Sequence, residues 1–430
     1  MAYYPTFCYI HTSIVYQSSL MKYFLFCLIA CCFLTPSKAQ TQHFFTTNGK
    51  AIIAPDGTPF LIRGTNLGNW LIPEGYMFKF NKTNSARLIN ETLNELIGPA
   101  ETKKFWQQFL DNYITEADIH YLKSLGMNSI RVPFNYRLFK KEDYLGQRNE
   151  QHGFELLDRL INWCKKEQLY VLLDMHAAPD GQTGDNIDDS YGYPFLFENE
   201  ESQQLTADIW KRIADHYKNE PIILGYDLLN EPIPHFFDTQ YFNPKLEPVY
   251  KKITAAIRQV DKNHILFLGG AQWDSNFKPF GAPFDPKLVY TFHKYWTPPT
   301  QAVIQDYVDF SNQYNVPVYC GETGENTDGW VDSFRVVLEK ANIGWHYWPY
   351  KKMDNTRGVV QFSKPAYYDT VIAYAEANRN TFEAIRKARP QNMEAVKKAL
   401  NDFLINCQFK NCTANEGHIK ALGFNFKEIK

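Results

Sequence analysis

The 430-residue chain has no excess of charge of either sign: Lys+Arg number 45 against Asp+Glu 47, a formal net charge of -2. A field that weak does not hold nucleic acid or an anionic membrane surface, which argues against a polyanionic partner. Long hydrophobic runs are missing as well. The longest, within Met21–Leu34, has about 13 apolar residues where roughly 20 are needed to cross a bilayer, so no membrane span is expected in the mature chain. Cysteine is sparse, and four of the eight (Cys8, Cys27, Cys31 and Cys32) precede residue 40. No Cys or His cluster has zinc-ligand spacing, and no internal repeat or low-complexity tract occurs, which leaves a metal-free globular chain as the expectation. Aromatic residues are plentiful at 16%; their flat faces suit the CH faces of sugar rings, although most of them fill cores.

The segment from Met21-Lys22 through the apolar run to Ser37-Lys38-Ala39-Gln40 has a short charged start and a small-x-small site, the pattern of a secretory signal. Residues 1–20 carry no such logic, which allows a true start at Met21. Cleavage would leave a mature chain beginning near Gln40, outside the cytoplasm, in a periplasm or at a cell surface. Leu28-Ile29-Ala30-Cys31 also fits a lipoprotein box with an anchor at Cys31, but Cys32-Phe33-Leu34 stay apolar where such proteins turn polar. Of the remaining cysteines, Cys164 and Cys320 sit in apolar runs and read as free thiols. Cys407 and Cys412 lie close together in a polar tail and form a candidate bridge.

From Phe45 to Ile62, the Asn48-Gly49 and Asp56-Gly57 turns between short apolar runs predict a hairpin that could floor a barrel. Eight short β-rich runs follow: Phe60–Asn66, Asn128–Pro133, Tyr170–His176, Ile223–Pro232, His264–Gly270, Leu288–Tyr295, Val316–Glu322 and Gly344–Tyr350. Helical spacing recurs between them, over Glu116–Leu125, Phe154–Glu167, Ser202–Tyr217, Leu246–Val260, Thr300–Tyr314 and Gly329–Lys340. Alternation of this kind predicts an α/β fold, a (β/α)8 TIM barrel over residues 40–375 with an N-terminal β-hairpin and a C-terminal helical extension over 376–430. Pro73–Thr115 is long for a first loop, carries helical patterns at Asn84–Ile97 and Glu101–Asn112, and is expected to wall one side of the site. In the extension, Asn380–Ala388 and Met393–Ile405 read as helices.

Chemistry on such a barrel belongs to the C-terminal ends of its strands. Those ends here carry Asn66, Arg131, His176, Asn230-Glu231, His293 with Tyr295, Glu322 and Trp348. One polar strand end is ordinarily satisfied by a loop; seven converging ends are a site. Glycoside hydrolysis needs two carboxyls across the scissile bond, one protonated and one ionised. Glu231 ends an apolar run and is followed by Pro232, which stops the ladder, and Glu322 ends another run three strands later, so the two face each other across the mouth. His176 with Asp180 and Asp185 is a weaker metal candidate, because the intervening Ala177–Gly184 segment reads as a turn-rich rim.

The runs Asn128–Pro133, Asp174-Met175-His176, Asn230-Glu231-Pro232, Phe292-His293-Lys294-Tyr295, Gly321-Glu322 and Gly344–Trp348 occur in the order of a known family. Over about residues 45–375 the chain resembles glycoside hydrolase family 5, the cellulase-like family. Its opening, Arg63-Gly64-Thr65-Asn66-Leu67-Gly68-Asn69-Trp70-Leu71, is similar to the exo-β-1,3-glucanase and β-glucosidase-like branch, from which Asn69 and Pro73 depart. The resemblance implies a retaining β-glycosidase with Glu231 as acid/base and Glu322 as nucleophile. Asn230 would hold the sugar 2-hydroxyl, Arg131 and Tyr295 would support Glu322, His176 and His293 would bind hydroxyls or orient the carboxyls, and Trp348 would be the sugar platform. Trp70, Trp273 and Trp296 are candidates for flanking subsites. No cofactor is implied, and the expected partner is a β-linked oligo- or polysaccharide met by a monomer. The alternatives are a β-mannan or glycolipid β-glycosidase on the same machinery, or a barrel that binds carbohydrate without cleaving it. The long Pro73–Thr115 and Ala177–Gln203 segments favour a partly closed pocket.

Overall fold

The computed structural model describes residues 44–429 together with Met1, so the signal-like segment and its cysteines lie outside the described residues. A closed barrel of eight parallel strands forms the body. In chain order they are β1 (Arg63–Asn66), β2 (Ser129–Asn135), β3 (Tyr170–Ala177), β4 (Ile223–Asp227), β5 (Ile265–Gly269), β6 (Leu288–Tyr295), β7 (Val318–Gly324) and β8 (Gly344–Trp348), with β8 pairing back onto β1. The chain is therefore a (β/α)8 TIM barrel. All eight sequence runs hold one barrel strand each. The largest boundary miss is at the fourth, where the ladder stops at Asp227 and Leu228–Pro232 leave it.

Helices form where the local signals are strongest. Glu116–Leu125 opens on a capping box between Thr115 and Asp118 and closes on Gly126 at φ 107, a left-handed position that a glycine fills without strain. The helix Thr239–Arg258 begins seven residues before its apolar periodicity, because Asp238 accepts from the amides of Gln240 and Tyr241 at its start. Pro244 and Pro248 lie inside it, and such residues hide a helix from a sequence reading.

The short antiparallel hairpin Thr46–Asn48 with Ala51–Ile53 precedes the barrel. Its Phe45 and Ile52 close the lower end in one apolar cluster with Leu172, Leu224, Phe267, Val289 and Tyr319. Because side chains alternate along a strand, Leu172 at the floor is followed inward by Asp174 and His176, and Tyr226 faces the helices while Asp227 turns to the axis. On β3 the apolar floor and the polar mouth thus come from one periodicity, whereas β4 brings both Leu224 and Asp227 inward across a register shift opposite Val171 and Leu172.

The tail is tied to the barrel wall. Met393–Asn406 packs on Pro99–Asn112 and Tyr368–Glu376, where Phe403 meets Phe78, Phe109 and Tyr368. Thr413–Ala414 adds a strand to Val360–Phe362. All four described cysteines are free, which corrects the candidate bridge. Cys407 ends a helix with its Sγ toward the Leu404 carbonyl, while the turn Phe409–Asn411 aims Cys412 Sγ at the carbonyls of Gln408 and Cys407, 3.5 and 3.7 Å away.

Candidate active site

Glu322 owes its direction to a bulge. Along β7, Tyr319 pairs with Thr291 and Cys320 with Phe292, but Glu322 pairs with His293, so one residue of β7 is unmatched. A bulge re-aims the side chain that follows it, and here it turns Glu322 into the mouth. Gly321 sits at the bulge, where a Cβ would come within 2.5 Å of Thr291 Oγ1 and 2.8 Å of His293 Nε2.

Both oxygens of Glu322 are taken up by strand residues. Arg131 Nη1 on β2 donates to Oε1 at 2.5 Å, and Tyr295 OH on β6 donates to Oε2 at 3.0 Å. Arg131 is wholly buried and is the hub of the mouth. Its Nη1 also reaches Asn66 Oδ1 at 3.1 Å, Nη2 donates to Asn230 Oδ1 at 2.9 Å and lies 3.2 Å from Asp174, and Nε pairs with Asp227 at 2.8 Å. One cation cannot compensate three buried carboxylates, and burial pushes Asp174 and Asp227 up to about 7 against the pull of Arg131. His176 hydrogen-bonds Asp174 through Nδ1 at 2.8 Å and presents Nε2 to the Asn230 amide at 3.4 Å. Burial drives its pKa down to about 4, so the ring is neutral and accepts at Nε2. Asn230 thereby has its carbonyl on Arg131 and its amide toward the mouth.

Glu231 is held differently. It lies beyond the end of β4 with φ 45, followed by Ile233 at φ 54, in a loop pinned by Thr183 Oγ1 donating to the Glu231 carbonyl and Gln182 Nε2 donating to the Asn230 carbonyl. Its Oε1 is 2.8 Å from His293 Nδ1, and the same nitrogen is 3.7 Å from Glu322 Oε2. Burial pushes Glu231 up to about 7, opposed by nearby His176 and Arg131, whereas burial drives His293 down to about 3. One oxygen of each glutamate and a nitrogen of His293 lie within 4.8 Å of one another. Such a trio resembles a metal-ligand set, but Arg131 and Tyr295 already occupy both Glu322 oxygens, and the short His293 contact is a hydrogen bond to a carboxyl.

Trp348, 4% exposed, stacks on His176 at 5.7 Å and 9°, with Gly68 beneath it and Tyr76 OH accepting from its indole nitrogen at 2.6 Å. All eight sequence-derived site residues therefore converge on the mouth. Of the flanking tryptophans, Trp70 is buried and donates to the Leu110 carbonyl, so it packs the wall instead of lining a subsite. Trp296 is 72% exposed beside Tyr295, and Trp273 lies on the rim against Phe236. Asp180, the metal candidate, is bound by Asn199 and Ser202 away from His176.

Four residues of the site escaped the sequence reading. Gln182 bridges the His176 and Asn230 carbonyls. Asp274 stands behind His293. Glu74 is buried near both glutamates, and burial holds its carboxyl well above the usual range. Tyr76 covers Trp348. None of the four sits on a barrel strand: Glu74 and Tyr76 open the short 3-10 helix Gly75–Phe78, Asp274 ends a one-turn segment and Gln182 lies in a loop, stretches too short to show a periodicity or a motif.

The family model for cellulase, glycosyl hydrolase family 5, matches residues 90–354. A β-xylosidase from Phanerodontia chrysosporium is 30% identical over 367 residues, 76% of this chain and 75% of that one. Endoglucanase C from Acetivibrio thermocellus is 27% identical over 312 residues, 58% of this chain and 88% of its own length. Among solved structures, an endogalactoceramidase shares the fold with TM-score 0.58 at 18% identity, covering 88% of this chain and 84% of its own. With this barrel and these matches, the chain belongs to glycosyl hydrolase family 5 and is an O-glycosyl hydrolase.

Proposed function

We propose that the protein is a retaining hydrolase of β-glucans or related β-glycosides, with Glu322 as nucleophile and Glu231 as acid/base. The observation that carries the reading is the pair of carboxyls with oxygens within 4.8 Å of each other in opposite settings. A separation near 5–5.5 Å belongs to double displacement, while inversion leaves a gap of roughly 6.5–9.5 Å for a water. Glu322 is clasped by a cation and a phenol, as an attacking carboxylate requires. Glu231, raised to about 7 by burial, keeps its proton at the pH where it must give it away.

In the first step the Glu322 carboxylate attacks the anomeric carbon, the glycosidic C–O bond breaks, and the Glu231 proton passes to the departing oxygen. In the second, ionised Glu231 takes a proton from water, whose oxygen attacks the same carbon and releases Glu322. The Asn230 amide, turned outward by its carbonyl contact to Arg131, would hold the sugar 2-hydroxyl, a bond that strengthens as oxocarbenium character develops. His176 and His293 orient Asn230 and Glu231, and Trp348 offers its face to the ring. The hydrogen bond from Trp348 to Tyr76 ties the long first loop to the end of β8, which supports a pocket over an open groove.

The curated relatives include a β-xylosidase, endoglucanases and a probable glucan 1,3-β-glucosidase, which supports β-linked glycans as the substrate class. The apolar run before Ser37-Lys38-Ala39 supports export, with a mature N-terminus near Gln40. Proton NMR of the first-formed product tests the mechanism: a β-anomer is expected, and an α-anomer overturns retention. Trapping with a 2-deoxy-2-fluoro glycoside should label the peptide that carries Glu322, and a label elsewhere removes the assignment.

A further inference from the structure

Asp274 follows β5 and is wholly buried among groups that the proposed mechanism uses without it. Its Oδ2 accepts the backbone N–H of Glu231 at 3.3 Å and lies 3.2 Å from His293 Nε2. Two glycines make the room. A Cβ on Gly269 would come within 2.1 Å of Asp274 Oδ1, and one on Gly321 within 2.8 Å of His293 Nε2. The loop that delivers Asp274 runs left-handed over three non-glycine residues, Gln272 at φ 52, Trp273 at φ 61 and Asp274 at φ 55. Such a run persists only where its surroundings over-determine it. Gln272 does so by donating its backbone N–H and its Nε2 to the Ile233 carbonyl at 2.9 and 3.2 Å, which clamps the Asp274 loop to the Glu231 loop.

A neutral imidazole has one N–H and one lone pair. His293 Nε2 makes no hydrogen bond, and Asp274 Oδ2, 3.2 Å away but off the line of one, already accepts the Glu231 amide; the lone-pair density it places beside the buried nitrogen favours hydrogen on Nε2. Nδ1 is then an acceptor, and its 2.8 Å contact with Glu231 Oε1 needs the hydrogen on Glu231. With the other tautomer, Nδ1–H would donate to an ionised Glu231 and favour the base form. We propose that Asp274 is a positioning residue for acid catalysis: acting through His293 and the Glu231 amide, it selects the tautomer that keeps the proton on the Glu231 carboxyl.

This rests on the reading of Glu231 as acid/base. The groups that face Asp274 are Asp227 and Glu231 from β4 and its loop, Arg131 from β2, His293 from β6, and Tyr250 and Tyr307 from the helices behind. Burial and the two carboxyls favour a protonated Asp274, and Arg131 opposes them. A proton on Oδ1, which has no hydrogen-bond partner, leaves Oδ2 an acceptor, so the tautomer argument holds in either state.

The test uses Asp274→Gly, which removes the carboxyl without straining a left-handed position, with Asp274→Asn to restore an acceptor and Glu231→Ala as reference. Substrates are 2,4-dinitrophenyl and phenyl β-glucosides, with the sugar changed to whichever of a β-glycoside panel the wild type turns over. For Asp274→Gly, the alkaline limb of kcat/KM should move down by about one pH unit, with a roughly tenfold loss on the phenyl glycoside and less than about threefold on the dinitrophenyl one. Asp274→Asn should recover most of both. In wild type, nitrogen-15 NMR of histidine-labelled enzyme, assigned with a His293 variant, should show hydrogen on Nε2 of His293, a readout that does not depend on any Asp274 variant folding. An unmoved limb in folded Asp274→Gly, an equal loss on both substrates, or hydrogen on Nδ1 overturns the proposal alone when Glu231→Ala remains sensitive to the leaving group. If Glu231→Ala loses both substrates equally, the acid/base reading falls and takes this proposal with it.

Discussion

Glu322 and Glu231 approach the same imidazole, yet one is held by strands and the other by loops. Glu322 sits on β7 and is clasped by Arg131 from β2 and Tyr295 from β6. Glu231 lies past the end of β4 in a segment with two left-handed residues, backed by a second segment with three more, and its supports come from Thr183, Gln182 and Asp274. Strands share one hydrogen-bonded frame, so the Glu322 half has its charge and direction set by the barrel itself. The Glu231 half is set by local contacts that can be altered one at a time. On the proposed mechanism, the carboxyl that exchanges its proton in every cycle is thus held by the more adjustable of the two supports.

The strongest test of this contrast is removal of each carboxyl. Glu322→Ala should lose about 10⁴-fold or more in kcat on every substrate, because no glycosyl-enzyme can form. Glu231→Ala should lose on the order of 10²–10⁴-fold on substrates with poor leaving groups. On an activated aryl glycoside its first step should survive and the intermediate should accumulate. Azide, which needs no base, should then restore turnover with a β-glycosyl azide, and should give Glu322→Ala at most the inverted α-azide. An α-azide from Glu231→Ala would exchange the two roles.

The pH profile sharpens the same contrast. Glu231, raised to about 7 by burial, must be protonated to serve as acid, so kcat/KM for an unactivated substrate should fall as pH rises through about 7. That limb should vanish in Glu231→Ala on an activated aryl glycoside. A limb that persists there belongs to another group and breaks the assignment.

Tyr295→Phe touches only the strand-held side. It removes one hydrogen bond, 3.0 Å long, to Glu322 and leaves Arg131 in place. A bond to a charged group is worth about 1.5–3 kcal/mol, so a loss of roughly tenfold or more is expected, equal for good and poor leaving groups. A loss confined to poor leaving groups would place Tyr295 in the acid machinery instead.

The same division explains what the sequence made legible. Most barrel strands could be read because an apolar run and a polar end sit on one short stretch of chain, and Leu172, Asp174 and His176 show the period of two in plain view. Arg131, Tyr295 and Glu322 were found for that reason. The β7 bulge that aims Glu322 was not visible, since it is a property of pairing with His293 and not of β7 alone. Asp274 and Gln182 were missed because their loops have no period, and their partners lie 43 and 48 residues away in the chain. The candidate bridge failed for a related reason: closeness of Cys407 and Cys412 in sequence says nothing of where the intervening turn points their sulfurs.

The smallest expected effect is the most specific to the loop-held side. Gln272 touches neither glutamate, but its Nε2 donates to the Ile233 carbonyl and to Asn243 at 2.8 Å, and its Oε1 accepts from Asn276 at 2.6 Å. Gln272→Ala removes these bonds while its backbone N–H still reaches Ile233 at 2.9 Å. Each neutral hydrogen bond contributes about 0.5–1.5 kcal/mol, and part of that will be absorbed by relaxation of the loop, so a loss of roughly threefold is expected in kcat/KM for a phenyl glycoside. If the two halves of the mouth are independently supported, the dinitrophenyl glycoside, whose departure asks little of Glu231, should react as fast as in wild type. Combining Gln272→Ala with Tyr295→Phe should then give the product of the two single losses, because the residues share no partner. A combined loss well below that product would mean that the strand-held and loop-held halves move as one unit, and that the imidazole between them transmits strain from one glutamate to the other.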